Sequence, residues 1–352
     1  MIKYWVVFSF SCICFLLLST TSSKSPAFLL PEQRQNPPEW NEQTPLSDVL
    51  WALGESKPNH FVEKVESEIQ KGKELFMEGR TTKPNGKKSP YISKFYTCNN
   101  CHNTQREDIT LTESNPEARL TYAIKHNLPV LQATTMYGTV NKASWYNDDY
   151  IKKYGDLVLK ARNNLREATQ ICAQHCSQGR VLNKWEEDAL MAYFWSLEYR
   201  LSDLGLTKTE WDNLLKSTAN PAQFEAARKM LHEKFLSKSP ATFGEPPQDK
   251  VAGYPVKEKN TQNGEAIFKH SCLACHAATA GVSESYFETD KITFKYLAQR
   301  MNSVTTESFY DLLRHGTYPN KGHRRYMPNY TEERMSNQQV EDLRAYIEAE
   351  AK

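Results

Sequence analysis

The sequence has little net charge, few patterns typical of β-strands, and no long apolar run beyond its first residues. The formal net charge of the 352 residues is +2 and no polybasic run occurs, which argues against a nucleic-acid-binding protein. After residue 23 no segment is apolar enough to cross a bilayer, so no membrane span is expected in the mature chain. Alternating strand patterns are weak, whereas helical spacing recurs. The sequence therefore predicts an all-α fold.

The N-terminus has the features of an export signal. Lys3 precedes an apolar stretch at residues 5–18, and small polar residues follow at 19–23. The apolar stretch is shorter than the roughly 20 residues that span a bilayer. We therefore expect residues 1–23 to be a secretory signal peptide and the mature protein to be periplasmic. That compartment is one in which cysteine-based cross-links persist.

Two copies of Cys-x-x-Cys-His are the most specific feature of the chain. They lie at residues 98–102 and 272–276. In this motif the two thiols attach haem covalently, and the histidine is placed to ligate the iron. One Cys-x-x-Cys also occurs in zinc sites and redox dithiols, but two copies followed by His in an exported chain favour two c-type haems. The predicted thioether cysteines are Cys98, Cys101, Cys272 and Cys275, and the predicted proximal iron ligands are His102 and His276.

A faint internal repeat suggests that the chain consists of two related halves. Gly-x-x-Leu/Ile-Phe occurs before each haem motif, at 72–76 and 264–268. Leu-x-Ala-Tyr occurs near the end of each half, at 190–193 and 343–346. We expect each half to contain an entry helix, a haem motif, and a closing helix that packs across the entry helix.

The apolar spacing and the distribution of proline and glycine give a domain map. The predicted helices lie at 61–76, 156–172, 185–201 and 338–349, with two short ones within 207–236. The predicted domains are an irregular segment at 24–60, an N-terminal haem domain at 61–206, a helical segment and Pro/Gly-containing linker at 207–262, and a C-terminal haem domain at 263–352.

The C-terminal half carries a candidate distal ligand. Met327 is followed by Pro328, after the second haem motif and before the last predicted helix. Over about residues 260–350 the chain resembles the class I cytochrome c family, in which a Met in this loop, usually followed by Pro, is the distal iron ligand. The resemblance implies that Met327 ligates the C-terminal haem, where a neutral thioether raises the reduction potential. The alternative is that Met327 only fills the core.

The N-terminal half lacks a methionine at the corresponding place. Aligning the two Leu-x-Ala-Tyr signatures pairs Met327 with Gln174, within Cys-Ala-Gln-His-Cys at residues 172–176. Residues 172–193 resemble the distal segment of thiosulfate dehydrogenases and of the related haem subunit of the thiosulfate-oxidising complex. In those dihaem proteins a Cys sulfur ligates the catalytic haem. The resemblance gives that role to Cys172.

Three alternatives for the N-terminal distal ligand remain open. His175 would give a haem with two imidazole ligands, and the second thiol, Cys176, is also available. If Cys172 and Cys176 instead form a disulfide, the helix has to end there, because one helical turn sets their Cα atoms near the upper limit for a bridge. Met136 would then be the fallback ligand.

Cationic side chains near both distal segments suggest what the protein binds. Arg180, with Arg162 and Arg166, could bind a sulfur oxyanion. Pairing with haem propionates or exposure to solvent is the alternative. A basic collar, formed by Lys321, His323, Arg324 and Arg325, directly precedes the Tyr326-Met327 pair. It would steer an acidic redox partner towards the haem edge.

The resemblances imply an exported dihaem cytochrome c. We expect it to serve as an electron-transfer protein without a substrate of its own. The alternative is an oxidoreductase of the thiosulfate dehydrogenase type, in which the N-terminal haem is catalytic and the C-terminal haem passes electrons on. A dihaem peroxidase is a third option, but no motif beyond the two haem sites supports it.

Overall fold

The computed structural model describes residues 39–301, 308–317 and 324–352. The predicted signal peptide, the first part of the predicted irregular segment, and Lys321 and His323 lie outside these residues. The α-helices, numbered α1 to α13 in chain order, are Leu46–Ala52, Glu66–Glu78, Pro116–His126, Asp148–Tyr154, Leu165–Ile171, Lys184–Ser196, Lys208–Ser217, Phe224–His232, Thr261–Ile267, Leu273–His276, Lys291–Met301, Phe309–His315 and Asn337–Glu350.

The all-α fold class is confirmed. Within the described ranges there is no strand, only two isolated β-bridges. Both predicted closing helices form with clear N-terminal caps. Helix α6 begins after Asn183, whose backbone N–H is bonded by Glu186 in a capping box. Helix α13 begins after Ser336, whose hydroxyl accepts from the backbone of Gln339.

Three helix predictions differ from the structure. The helix predicted at 185–201 spans Lys184–Ser196, and Leu201 begins a separate 3₁₀ turn. The stretch predicted as one helix at 156–172 is interrupted, because the side chain of Asn164 caps a new helix by accepting from the backbone N–H groups of Arg166 and Glu167. Helix α5 therefore starts only at Leu165 and continues into a π-helical turn, Cys172–Cys176. The helix predicted from Phe61 starts at Glu66, and Phe61 packs its ring on Trp195 at 5.5 Å instead.

The segment predicted to be irregular contains helix α1. Its apolar residues Leu46, Val49 and Leu50 are buried in a core shared with α7 and α8. The two short helices predicted within 207–236 are these α7 and α8, and they pack on the N-terminal half. Residues 238–260 have no helix, as expected of the linker. They are nevertheless packed, since Tyr254 belongs to the C-terminal core.

The predicted crossing of entry and closing helices is present in both halves. In the first half a Cβ added to Gly72 on α2 would lie 1.9 Å from the carbonyl oxygen of Ala189 on α6. In the second half a Cβ on Gly264 in α9 would lie 2.1 Å from the carbonyl oxygen of Asp342 on α13. Such contacts require glycine, because a side chain there would collide with the opposing backbone.

The two crossings keep the register that the sequence repeat predicted. The second-nearest neighbours at the crossings are Tyr193 and Tyr346. The same spacing of 153 residues that separates these tyrosines also separates Ala189 from Asp342. The halves are therefore built on the same helix pair.

The two halves share part of their cores. Helix α3, Pro116–His126, lies in the half that carries the first haem motif, yet Leu120 and Ala123 are buried in the C-terminal core with Phe268 and Leu343. The C-terminal core thus includes side chains from the N-terminal half of the sequence. None of the helices in the described ranges is long and apolar enough to cross a membrane.

Candidate haem sites

The first Cys-x-x-Cys-His motif is held by a capped turn. Residues 98–100 form a 3₁₀ turn whose N-cap is Thr97, and Asn100 Oδ1 accepts from the Thr97 backbone at 2.8 Å. The backbone N–H groups of Cys101 and His102 both donate to the Cys98 carbonyl, at 3.1 and 3.0 Å. Both thiols and the imidazole therefore project from one compact turn.

A backbone carbonyl fixes the tautomer of His102. Its Nδ1 lies 2.7 Å from the carbonyl oxygen of Thr134. A carbonyl only accepts, so Nδ1 carries the proton and Nε2 keeps the lone pair that an iron ion needs. Burial lowers the pKa of His102, which keeps the ring neutral. The Ala133 N–H also donates to the Cys101 carbonyl, at 3.2 Å, so the loop that holds His102 is tied to the motif itself.

The second motif repeats this arrangement on a different support. It follows a π-helical turn, Phe268–Cys272, and lies on α10. His276 Nδ1 lies 2.7 Å from the Ser285 carbonyl oxygen. Its ring stacks on Phe287, with centroids 4.1 Å apart and an interplanar angle of 4°. Burial lowers the pKa of His276 as well, so both proximal histidines present a neutral ring with Nε2 as the donor atom.

The donor set of each motif fits a c-type haem. All four motif cysteines are free thiols. Burial raises the pKa of Cys98 and of Cys272 to about 12. Across residues 39–301, 308–317 and 324–352, no three His, Cys, Asp or Glu side chains converge closely enough to hold a metal ion. Two neutral thiols and one imidazole with a free Nε2 are what covalent haem attachment requires.

Met327 lies in a fixed loop at the edge of the C-terminal core. Its backbone N–H donates to Thr317 Oγ1 at 2.7 Å, and its carbonyl accepts from the Thr317 N–H at 2.8 Å. Gly316, at φ +71°, lets the chain pass so close that an added Cβ would lie 2.4 Å from the Met327 carbonyl oxygen. The Met327 side chain and Cys272 of the second motif are both partly buried against the C-terminal core cluster. Met327 therefore packs on the same core as the second motif.

The thiols of Cys172 and Cys176 lie within electrostatic range of the first haem motif. Both are free, and they are hydrogen-bonded to each other within the π-helical turn. This bond, then burial, and then the nearby thiols of Cys98 and Cys101 raise the pKa of Cys172. Cys172 is therefore close to the motif cysteines. No disulfide joins the pair.

Tyrosines surround the Cys172–Cys176 turn. Burial and the two thiols together raise the pKa of Tyr146 and of Tyr150. The rings of Tyr146 and Tyr150 pack edge to face at 4.9 Å, and Tyr154 stacks on Tyr150 at 6.1 Å. Tyr146 and Tyr150 thus lie within electrostatic range of both thiols of the Cys172–Cys176 turn.

The structure separates the other candidate distal ligands. Met136 is buried, but its backbone N–H donates to the carbonyl of Asn103 at 2.8 Å, beside the proximal His102. It therefore lies with the loop that supports the proximal side. His175 is half-buried within the turn formed by residues 172–176, next to the two thiols. Gln174 donates to the Gln170 carbonyl at 3.3 Å.

Arg180 is engaged by the protein itself. Its guanidinium forms two bonds to Glu186, at 2.7 and 2.6 Å, and its Nε donates to the Tyr91 carbonyl at 3.1 Å. Arg162 and Arg166 are likewise in ion pairs with acidic residues. These contacts engage the donors that an oxyanion would need, and a role of Arg180 in substrate binding stays a prediction.

Part of the basic collar is also used internally. Arg325 donates to the carbonyls of Gly281 and Val282, at 2.9 and 2.6 Å, whereas Arg324 is exposed. Lys321 and His323 lie outside the described residues. Within the described part of the collar, Arg324 is therefore the exposed basic side chain that could contact a redox partner.

Several residues that build the sites were missed from the sequence. Thr134 and Ser285 act through backbone carbonyls, which every residue possesses, so no residue type marks them. Tyr96 precedes the first motif by two residues, and its hydroxyl donates to the Tyr326 carbonyl at 2.7 Å. An aromatic residue next to a haem motif was the one signal that could have identified it.

Comparison with known proteins agrees with the second site. The family model described as cytochrome c oxidase, cbb3-type, subunit III, matches residues 259–347, which include the second motif and Met327. Searches of curated proteins and of solved structures returned no match. The C-terminal domain is thus a c-type cytochrome domain. It binds a c-type haem covalently, takes part in haem-based electron transfer, and exchanges electrons with redox partners.

Proposed function

We propose that this protein is an exported dihaem cytochrome c, which transfers electrons through one haem in each half. The observation that carries the proposal is the repetition of one arrangement. Each half has a Cys-x-x-Cys-His motif, a proximal histidine whose Nδ1 donates to a carbonyl, and a glycine at the crossing of entry and closing helices. The N-terminal half therefore has the parts that the C-terminal cytochrome domain uses.

The residues of the chain would hold and tune the two haems. When bound, the haem iron supplies one-electron chemistry, and the protein sets its ligands and surroundings. His102 and His276 would be the proximal ligands, Met327 a soft distal ligand, and Cys172 an anionic one. We expect the C-terminal haem to have the higher potential, because a thioether favours ferrous iron and a thiolate disfavours it.

The closeness of the two sites supports electron exchange between them. Burial raises the pKa of Cys101, and the largest electrostatic contribution to that rise comes from Cys275 of the other motif. Tyr96 interacts electrostatically with both Cys101 and Cys275; burial raises its pKa to about 12, and its hydrogen bond to the Tyr326 carbonyl acts against that rise. The two motifs thus lie within electrostatic range of each other.

The haem count tests this proposal. The mature protein, expressed in a host that attaches haem c, should gain the mass of two haems under denaturing conditions. A variant with Cys98→Ala and Cys101→Ala should retain one haem, as should the matched variant with Cys272→Ala and Cys275→Ala. A wild-type protein with one haem, lost only in the second variant, would refute the dihaem proposal.

An oxidoreductase of the thiosulfate dehydrogenase type is the second candidate. It is favoured by the proximity of Cys172 to Cys98 and Cys101, since those enzymes carry a Cys-ligated haem. The ion pair of Arg180 weighs against an oxyanion site at that residue. The substrate class of this candidate is a reduced sulfur oxyanion.

Electron paramagnetic resonance of the oxidised protein separates the two candidates. A thiolate ligand gives a low-spin signal of small anisotropy. We expect Cys172→Ser to abolish that signal and the matched variant Cys176→Ser to keep it. An unchanged spectrum in Cys172→Ser would remove the basis for the oxidoreductase.

Export to the periplasm belongs to the same proposal. Its support is the sequence pattern of residues 1–23 together with the haem motifs. N-terminal sequencing of protein recovered from the periplasmic fraction should begin close to residue 24. Recovery of an uncleaved chain from the cytoplasm would contradict it.

A further inference from the structure

The segment that carries Met327 also contacts the distal side of the first haem site. The hydroxyl of Tyr326, the residue before Met327, donates to the Cys176 carbonyl at 2.9 Å. The Tyr96 hydroxyl donates to the Tyr326 carbonyl at 2.7 Å and accepts from the Tyr326 N–H at 2.5 Å. The two rings meet edge to face at 5.8 Å. Tyr326 is thus bonded both to the distal turn and to a residue beside the first motif.

The same segment also contacts the proximal side of that site. Arg334 is 2% exposed, and its Nε and Nη2 donate to the Leu131 carbonyl at 2.9 and 2.7 Å. It forms a buried ion pair with Glu107 at 2.5 Å. Glu107 in turn accepts from the Thr135 N–H and from Asn103 Nδ2, each at 3.0 Å. These bonds fix residues 131–135.

The loop fixed by Arg334 is the one that orients His102. Thr134, whose carbonyl accepts from His102 Nδ1, lies between Leu131 and Thr135, which Arg334 and Glu107 hold. Asn103, the neighbour of His102, is also bonded to Glu107. A shift of Arg334 would therefore be transmitted to the imidazole through two backbone segments.

We propose that Tyr326 and Arg334 are positioning residues for the N-terminal haem, supplied by the segment that ligates the C-terminal haem. The inference rests on the proposed function, because it needs a haem in both halves. Residues 326–334 then hold both the distal turn and the proximal loop of the first haem site, while Met327 ligates the second haem. The two axial environments are coupled, and a change at Met327 reaches the other haem without touching it.

The distal half of this proposal is tested with Tyr326→Phe in the full-length holoprotein. The variant keeps the ring and removes the hydroxyl that donates to Cys176. We expect the resonance signal of the N-terminal haem to shift in g values, and its midpoint potential to shift, while the C-terminal signal stays in place. The matched control is Tyr296→Phe, which removes a hydroxyl from an exposed residue of α11 that is bonded to Arg300. It should leave both signals unchanged.

The coupling itself is tested with Met327→Ala. Loss of the side chain should change the C-terminal haem directly and, through residues 326–334, also shift the N-terminal signal. A protein that holds two haems but shows no N-terminal shift in either Tyr326→Phe or Met327→Ala would overturn the coupling and leave the dihaem proposal intact. A wild-type protein with one haem would overturn both.

Discussion

The glycine at each helix crossing gives the sharpest test of the duplicated architecture. An alanine at Gly72 would place its Cβ 1.9 Å from the Ala189 carbonyl oxygen, whereas a carbon atom normally lies no closer than about 3.3 Å to such an oxygen. Helices α2 and α6 would have to separate by about 1.4 Å. The obstacle is backbone, so no side-chain rotation relieves it.

The expected loss of stability follows from opposing terms. Overpacking of this kind costs about 1–3 kcal/mol, and occasionally more. The gain in helix propensity from glycine to alanine is about 1 kcal/mol. Separation of the two helices also loses dispersion contacts along the crossing, which moves the net effect towards the upper end of the range. We expect Gly72→Ala to destabilise the protein by about 2 kcal/mol, which lowers the melting temperature by on the order of 4–8 °C.

Thermal unfolding of the holoprotein, followed by circular dichroism, measures this loss. The matched control is Lys73→Ala, an exposed neighbour on the same helix, which should change stability by less than about 0.5 kcal/mol. Gly264→Ala should act on the second half as Gly72→Ala acts on the first. If Gly72→Ala and Lys73→Ala have the same melting temperature, the close crossing in the first half is wrong. The argument that both halves repeat one helix crossing then fails as well.

Three further predictions concern the same molecule. The pKa of Glu107 is raised by burial but lowered more by Arg334, from 4.5 to about 2. The ion pair therefore stabilises the fold above pH 4.5, and this contribution, on the order of 3 kcal/mol, is lost as the pH falls towards 2. Glu107→Gln should destabilise the protein at pH 7 and flatten its acid-unfolding curve, and an unchanged curve would contradict the pairing. Ser336→Ala should cost about 1 kcal/mol in thermal unfolding through loss of the α13 cap, whereas no loss would mean that the cap is not formed in solution. A single change, Cys98→Ala, should leave the first haem bound through Cys101 alone and shift its pyridine haemochrome band, and a band identical to wild type would show that Cys98 carries no thioether.

Local signals made the haem motifs and the helix crossings predictable. A Cys-x-x-Cys-His motif is complete within five residues, and a glycine at a close crossing is one position in a short pattern. The repeat of Leu-x-Ala-Tyr placed Tyr193 and Tyr346 in the same register, and both do lie at the crossing. The interrupted helix before Cys172 was missed because an apolar stripe continues through it, although Asn164 caps a new helix there.

Contacts between distant parts of the chain could not be predicted. Glu107 and Arg334 are 227 residues apart, and Tyr96 and Tyr326 are 230 apart. Taken alone, Glu107 and Arg334 look like ordinary solvated charges, and Tyr96 and Tyr326 look like ordinary core aromatics. The same holds for Leu120, whose apolar spacing indicates burial but not that the core it enters is that of the other half.

The two halves differ in the length of chain before each haem motif. Gly72 and Cys98 are 26 residues apart, but Gly264 and Cys272 only eight. The extra residues of the first half support the distal turn: the Ile92 carbonyl accepts from the Arg180 N–H at 2.9 Å, and the Ser93 hydroxyl donates to the Ser177 carbonyl at 2.5 Å.

Gly179 allows that support to come close to the turn. A Cβ there would lie 2.3 Å from the Ile92 carbonyl oxygen, so only glycine lets the chain pass. The second half has no comparable insertion before its motif, and its distal residue is held instead by Gly316 and Thr317. The Cys172 thiol thus lies on a helical turn supported by this insertion, whereas the Met327 thioether lies on a loop held by Gly316 and Thr317. Arg180 belongs to the same support, through its backbone bond to Ile92 and its ion pair with Glu186.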